Sequence, residues 1–489
     1  MSWKIKINKT FPDLLIIGFA AMFWMLLWSQ KDKVIVPNSD FFKYIYDGQN
    51  YLHFKIPPDY QIPPFFPIAI VVTAKLFTNY PYPEVMAGHF LNITFSSIII
   101  IFVYKLLSHY SKTLSFITIL LLTTNLYFIG TSLNITNDVC YAFFVTLVLL
   151  LYQKKHYKFS YLIAGFTIFI RYDSLAICSS LLLLNNISKN EKKRNFLILI
   201  FPIILYFLFV IFKTNPAANY YLIEIKNGLN KIPDLKVLDH LLNLITSNSI
   251  YDKNLNKIFS IIITFYSLFI ILKSTFPKYI KLICLNFVLN IFLFLFIPNF
   301  CLRYLFSTIW VVYFIIINQS HKYLKKILVL ILLAINILQL KDPKIYNENI
   351  KKSECKYVAD WFNSQQIDNN NAKILIYEPF ILEYYLHNKN IIIDSLKEIE
   401  NKTIDCNNQL LCIIKKFHHE YKTDIFIVST SGSQEIIDDY YGDKFSADQH
   451  FIYLFKQLPL IPSNTDHLKL IISLNNNQGN WANIFQYIP

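Results

Sequence analysis

Of the 46 basic residues in this 489-residue chain, only three are arginine: Arg171, Arg194 and Arg303. Lysine otherwise does every cationic job, so an arginine marks a place that needs the planar, five-donor guanidinium fork. Arg194 ends a basic break, Lys189–Arg194 (KNEKKR). Arg171 and Arg303 stand at ends of apolar runs, and each is followed by a tyrosine, Tyr172 and Tyr304. A guanidinium grips phosphate bidentately, whereas an unpartnered cation within a membrane costs about 2.5–3.5 kcal/mol on insertion scales. Arg171-Tyr172 and Arg303-Tyr304 are therefore expected to clamp a lipid-linked phosphate or pyrophosphate. The plainer alternative is two arginines snorkelling to lipid headgroups.

Two acidic positions could supply the complementary chemistry. Residues 29–84 form a long polar interval rich in aromatics and proline, holding Asp40, Asp47 and Asp59. A carboxylate shielded from water can act as general base toward an acceptor hydroxyl or amine. Asp40, followed by Phe41 and Phe42, is the favoured base, with Asp47 and His53 as acceptor contacts; solvated loop acids are the plainer alternative. A second interval, GTSLNITND, ends in Asn137 and Asp138 at the head of an apolar run. Asp138 reads as a second acid that orients the acceptor, with Asn137 beside it, or the pair simply caps a helix. Glu84, His53 and His89 would fall near the same face and suit a divalent cation, but their spacing is not that of a metal motif. No cofactor is expected.

These residues need a membrane scaffold. The chain is 54% hydrophobic and 17% aromatic but only 16% charged, against about 25% charged in an ordinary soluble domain. Apolar runs of transmembrane length are separated by short Lys/Asn-rich breaks. The net charge of +14 does not suggest nucleic acid. Residues 341–489 hold 15 Lys and 19 acidic residues, net −4, so residues 1–340 carry +18. That excess sits in short breaks between apolar runs, as the positive-inside rule describes. Of the seven Cys, Cys140, Cys178, Cys284 and Cys301 lie in apolar runs. Cys406 and Cys412 could pair if the C-terminal part is outside the cytoplasm.

Spans are expected near 11–28, 85–107, 113–130, 138–152, 159–170, 174–184, 195–212, 256–273, 280–297, 304–318 and 324–340, the first an uncleaved N-terminal helix. Loop parity settles two ambiguities. The run 63–78 cannot cross without moving Lys105 and Lys112 outside, so it reads as an amphipathic or re-entrant element, its helix starting no earlier than about residue 67 because of Pro63, Pro64 and Pro67. The run 159–184 has basic flanks on both sides, so it must enter and return, turning at Arg171-Tyr172-Asp173. Eleven spans put the N-terminus in the cytoplasm and the C-terminal part outside.

The expected architecture is thus a polytopic α-helical membrane domain, residues 1–340, followed by a soluble α/β domain, residues 341–489. In the latter, 373–378, 390–394, 424–429 and 450–456 read as strands, and 354–365, 380–387, 409–421 and 434–440 as helices. It has no Gly-rich phosphate loop. No internal repeat is visible, which argues against a transporter built of inverted halves.

The layout resembles the GT-C glycosyltransferases, in particular the branch of the protein O-mannosyltransferases and the lipid A aminoarabinose transferase. The likeness rests on Asp40 in a long first outer loop, a following Pro-Pro apolar segment, Asn137-Asp138 heading a helix, a hairpin broken at Arg171-Tyr172, a late Arg303-Tyr304 and a trailing α/β domain. The resemblance implies that Asp40 is the catalytic first-loop acid, that Asp138 is the acid at the head of the fourth helix, and that Arg171 and Arg303 lie near the lipid phosphate. Asp40-Phe41 stands where the family often has Asp-Glu, and Gln61-Ile62-Pro63 where the aminoarabinose branch has Glu-Lys-Pro.

The implied function is transfer of a sugar from a polyprenyl phosphate to a lipid, glycan or protein acceptor outside the cytoplasm, with inversion. Richness in Lys, Asn and Ile points to an AT-rich bacterial genome, hence an inner-membrane protein with its C-terminal domain in the periplasm. An oligosaccharide polymerase or ligase of another membrane fold, and a lipid-linked sugar flippase, are the alternatives.

Overall fold

Long apolar runs fold as helices because, without water, every backbone N–H and C=O must be satisfied within the segment. The computed structural model describes residues 2–31, 39–55, 57, 62–184, 189–213, 238, 241–246, 253–295, 302–319, 322–340, 353–365, 372–376, 382, 384–386, 410–430, 464–465, 468–475 and 481–488. The chain forms two compact units, Met1–Lys33 with Lys43–Ile345, and Val34–Phe42 with Tyr346–Pro489.

The first unit is helical. Its elements are α1 (Ser2–Gln30), α2 (Ser39–Leu52, whose first residues fall with the second unit), α3 (Phe65–Ala74), α4 (Pro83–Ser108), α5 (Lys112–Thr124), α6 (Leu126–Leu133), α7 (Asn137–Gln153), α8 (Tyr157–Phe166), α9 (Leu175–Leu183), α10 (Lys189–Lys213), α11 (Leu241–Thr246), α12 (Lys253–Leu272), α13 (Lys278–Phe294), α14 (Ile309–Gln319) and α15 (Lys322–Gln339). Every apolar run expected to span meets one of these helices. Among the described residues, three have the length and apolarity to cross a membrane alone: Pro12–Gln30, Pro83–Ser108 and Asn254–Leu272. The pair α5–α6 makes a fourth if it is one span bent by 60°.

The bend between α5 and α6 frees backbone groups that side chains recover. Asn125 caps α6 by accepting from Phe128 N (2.7 Å), and its Nδ2 donates to Leu244 O and Tyr313 Oη, both at 2.9 Å. From α15, Asn336 Nδ2 reaches Leu121 O and Thr124 Oγ1, each at 3.1 Å. A helix break within a bundle is tolerated where neighbouring helices re-satisfy it in this way.

Two expectations for residues 29–84 are corrected. The interval is not only loop, because α2 lies within it. Phe41, Tyr44, Asp47 and Tyr51 of α2 are buried while Tyr46, Gln49 and His53 are exposed, so the amphipathic element is α2. Helix α3, which meets the run expected to be an amphipathic or re-entrant element, is apolar on all sides, and it begins at Phe65 rather than near residue 67. Proline in a first helical turn lacks only an N–H that has no intrahelical partner there, so Pro67 does not delay the start.

Helices approach most closely where a side chain is missing. A Cβ at Gly165 of α8 would collide with the Leu199 carbonyl of α10, and one at Gly48 of α2 with the Pro67 carbonyl of α3.

The second unit carries a five-stranded mixed sheet in the order β1-β2-β5-β4-β3, from β1 (Ala372–Ile376), β2 (Asp424–Thr430), β3 (Asn464–Thr465), β4 (Leu468–Asn475) and β5 (Trp481–Tyr487). β1 and β2 are parallel and the other pairings antiparallel. Helices α16 (Ser353–Ser364) and α17 (Leu410–Tyr421) accompany it, with Phe362 of α16 edge-on to Phe426 of β2 at 5.5 Å. Strands near 373–378 and 424–429 match β1 and β2, whereas β3, β4 and β5 were not anticipated. The expected elements 390–394, 434–440 and 450–456, and Cys406 with its suggested pairing, lie outside the described residues.

Because the obstacle at Gly165 is backbone, it cannot rotate away. Gly165→Val should destabilise the protein by about 1–3 kcal/mol, the usual scale for overpacking. This would be read as a lowered thermal midpoint of the detergent-purified protein. An unchanged midpoint would show that α8 and α10 can separate freely.

Candidate functional site

The run 159–184 does fold back on itself. α8 tightens into a 3₁₀ turn, Thr167–Phe169; Arg171 is extended (φ −154°, ψ 148°); a second 3₁₀ turn, Tyr172–Ser174, leads into α9. Tyr161 Oη donates to Leu181 O (2.8 Å), and Cys178 Sγ to Ala164 O (3.3 Å). Both pairs are centred on residue 171. In a continuous helix residues 161 and 181 would lie about 30 Å apart, so these bonds define a hairpin whose apex is Arg171.

The apex holds a buried ion triad. Arg171 Nη1 pairs with Asp138 Oδ1, and its Nε donates to Asp173 Oδ1 at 2.9 Å. Arg171, Asp138 and Asp173 are 9%, 2% and 5% exposed. The N-terminal part of α7 grips this apex at two further points. Asn137 Nδ2 donates to Ile170 O (3.4 Å), and Tyr141 Oη to Asp173 O (3.2 Å). The Tyr141 ring also lies 5.7 Å from the guanidinium carbon, in cation–π range.

This geometry changes what each residue can do. Asp138 and Arg171, expected as an acid and a separate phosphate clamp, are partners of each other. The N-cap of α7 is Thr136, and Asp138 sits inside the first turn, so Asp138 does not act as the cap. Asp173, which the sequence marked only as a polar turn residue, is the third member. Its proximity to Arg171 was legible, since a carboxylate two positions from a buried arginine is the nearest available counter-ion. Two carboxylates around one guanidinium leave an excess of one formal negative charge if all are ionised.

The other tyrosine of the apex faces α10. Tyr206 Oη donates to Tyr172 Oη (2.7 Å), and Tyr206 packs in a buried cluster with Ile168 and Tyr51 of α2. Tyr51 Oη in turn donates to Ile62 O (2.9 Å). The first loop and the hairpin apex thus share one cluster of tyrosines.

The remaining expected residues are placed as follows. Arg303 and Tyr304 lie in a 3₁₀ segment, Leu302–Thr308, which packs on α6 and α7; Phe306 in that segment stacks on Phe128 at 5.3 Å. Asp40 is in the first turn of α2. The side chains of Asp40, Arg303 and Tyr304 lie outside the described residues. Asp47 is buried on α2, and His53 is exposed at its far end. Glu84 and His89 are on α4, His89 buried. Among the described residues no three His, Cys, Asp or Glu side chains gather as a metal-ligand set, so Glu84, His53 and His89 do not form one.

An apolar helical bundle with a broken hairpin in the first unit and a small mixed sheet in the second make the fold of a polytopic α-helical membrane protein. The chain is similar in structure to ArnT from Cupriavidus metallidurans in the apo state, at a TM-score of 0.55 and 9% identity, covering 98% of each chain. A structure of ArnT from the same organism bound to undecaprenyl phosphate aligns over 97% of this chain and 98% of that one, with 10% identity and a TM-score of 0.46. At such identities the likeness is one of fold. No protein-family model and no curated protein sequence matches the chain.

The triad makes a quantitative prediction. Arg171→Met leaves two carboxylates buried together, and breaking a buried pair from one side costs about 3–5 kcal/mol. Adding Asp138→Asn and Asp173→Asn should recover most of that loss in chemical or thermal unfolding. No recovery in the triple variant would mean that the charges do not act as a unit.

Proposed function

We propose that the protein is a glycosyltransferase that moves a sugar from a polyprenyl-phosphate donor to an acceptor on the extracytoplasmic face of a bacterial inner membrane. The observation that carries this reading is the buried Asp138–Arg171–Asp173 triad at a hairpin apex, within a fold similar to that of a solved ArnT structure. The resemblance read from the sequence gives the donor class and the reacting face.

The chemistry follows from the donor. A sugar phosphate already carries a fair leaving group, so the protein has to orient the acceptor, take its proton and stabilise the departing phosphate. In this reading Asp40 is the general base. Arg303 meets the phosphate, as the resemblance read from the sequence implies. Arg171 contributes by position: held by Asp138 and Asp173, it fixes the apex that carries Tyr172, which with Tyr304 borders the phosphate. Asn137 supports the same apex, and Asp47 belongs to the acceptor side of the first loop. Attack of the acceptor oxygen or nitrogen on the anomeric carbon forms the new glycosidic bond as the bond to phosphate breaks. The acceptor proton passes to Asp40, and the anomeric centre inverts. No step calls for a cofactor or a metal ion.

The test uses purified protein with a radiolabelled polyprenyl-phosphate sugar and a bacterial envelope extract as acceptor source. Asp40→Asn should lower transfer about 10²–10⁴-fold, the range for losing a general base, with an unchanged thermal midpoint. Arg303→Lys should weaken transfer as well, because an ammonium lacks the bidentate fork. Full activity in Asp40→Asn would remove the proposed base. Movement of labelled lipid across liposomes with no covalent product would replace the enzyme with a flippase.

A further inference from the structure

The C-terminal end of α2 ends in an arrangement that folding alone does not favour. Phe54 N donates to Tyr51 O (3.0 Å), and Lys55 N to Asn50 O (2.8 Å). These are the two bonds of a Schellman cap, whose residue after the helix takes a left-handed conformation and is usually glycine. Here that residue is Phe54, at φ 57°, and it is 93% exposed. A bulky residue in that region is strained, and this one gains no packing in return. Strain held without local gain points toward function.

Beside Phe54 lies a cavity of about 260 Å³ lined by Tyr46, Gln49, Asn50, His53 and Lys55. The lining has no carboxylate, and it combines two amides, an imidazole and an ammonium. His53 Nδ1 is engaged with Gln49 O at 2.8 Å, which leaves Nε2 for a ligand. Leu52, next to Phe54, is also exposed. The end of α2 therefore presents an apolar knob directly against a cationic, hydrogen-bonding cup.

A helix long and apolar enough to cross a membrane is close. Gly48 of α2 lets the Pro67 carbonyl of α3 come into contact. α3 is apolar throughout, leaves Val72 exposed, and packs on α4, a 26-residue span. Aromatic side chains next to cations are the pattern of the membrane–water interface.

We propose that the C-terminal turn of α2 binds the phosphate-bearing headgroup of an anionic membrane lipid, with Phe54 and Leu52 set among the acyl chains and Lys55, His53, Asn50 and Gln49 around the headgroup. This assignment rests on the membrane fold and not on the transfer reaction, and its tests read no transfer.

In nanodiscs, Phe54→Trp should add emission that brominated phospholipid quenches more strongly than aqueous acrylamide does; the reverse order would overturn the proposal. In detergent, added phosphatidylglycerol should raise the thermal midpoint more than phosphatidylcholine does. Phe54→Gly relieves the backbone, so its midpoint without lipid should equal or exceed that of the unaltered protein, while the increment from phosphatidylglycerol falls by half or more. Lys55→Gln should lose a similar share. A full increment in Phe54→Gly would overturn the proposal, as would inorganic phosphate alone reproducing the increment, which would make the cup a site for free anions.

Discussion

A guanidinium at the tip of an apolar hairpin is the constraint around which this helical unit is arranged. Arg171 cannot be left alone in a water-poor setting, because an unpartnered buried charge is far more costly than a paired one. The protein answers with Asp173 from the same turn and Asp138 from α7. The second partner matters more for architecture, because it joins two elements 33 residues apart in sequence. Once Asp138 and Arg171 meet, the hairpin apex and the head of α7 have one relative position. Asn137 and Tyr141 then bond the backbone on either side of the arginine. A buried ion pair is weak evidence for stability but a credible device for register, since misaligned alternatives leave charges bare.

The same apex is connected to the first loop by apolar and hydroxyl contacts instead of charge. Tyr172, Tyr206 and Tyr51 form a chain of rings from the hairpin through α10 to α2. Two glycines allow the supporting helices to close up: Gly165 between α8 and α10, and Gly48 between α2 and α3. A loop that carries proposed catalytic residues is useful only when a rigid scaffold positions it, and α2 supplies that rigidity by burying one face. Its other face remains open to solvent or lipid, where the strained Phe54 stands.

Much of this was legible in the sequence because bilayer physics is a strong filter. Apolar runs and basic breaks located the helices, and charge parity required the chain to turn near Arg171, where the bonds from Tyr161 to Leu181 and from Cys178 to Ala164 show that it does. Pairing was harder to read. Asp138 read as a helix cap or an acceptor-orienting acid because sequence spacing does not say that α7 begins beside the hairpin apex. Helix α2 was hidden among prolines and aromatics, its polar face too short to stand out from a loop. The start of α3 was set too late because Pro67 was read as a breaker, whereas in a first turn it is harmless. Strands β4 and β5 escaped notice because their ladder depends on each other and on β2, a non-local pairing that local composition does not announce.

The most direct measurement is a structure of the protein in a lipid bilayer with a polyprenyl phosphate bound. The phosphate should lie against the guanidinium of residue 303, with the carboxylate of residue 40 on the same side of the membrane and Arg171 still held by its two acids. A phosphate seated in the opposite leaflet, or one that draws Arg171 away from both Asp138 and Asp173, would contradict it.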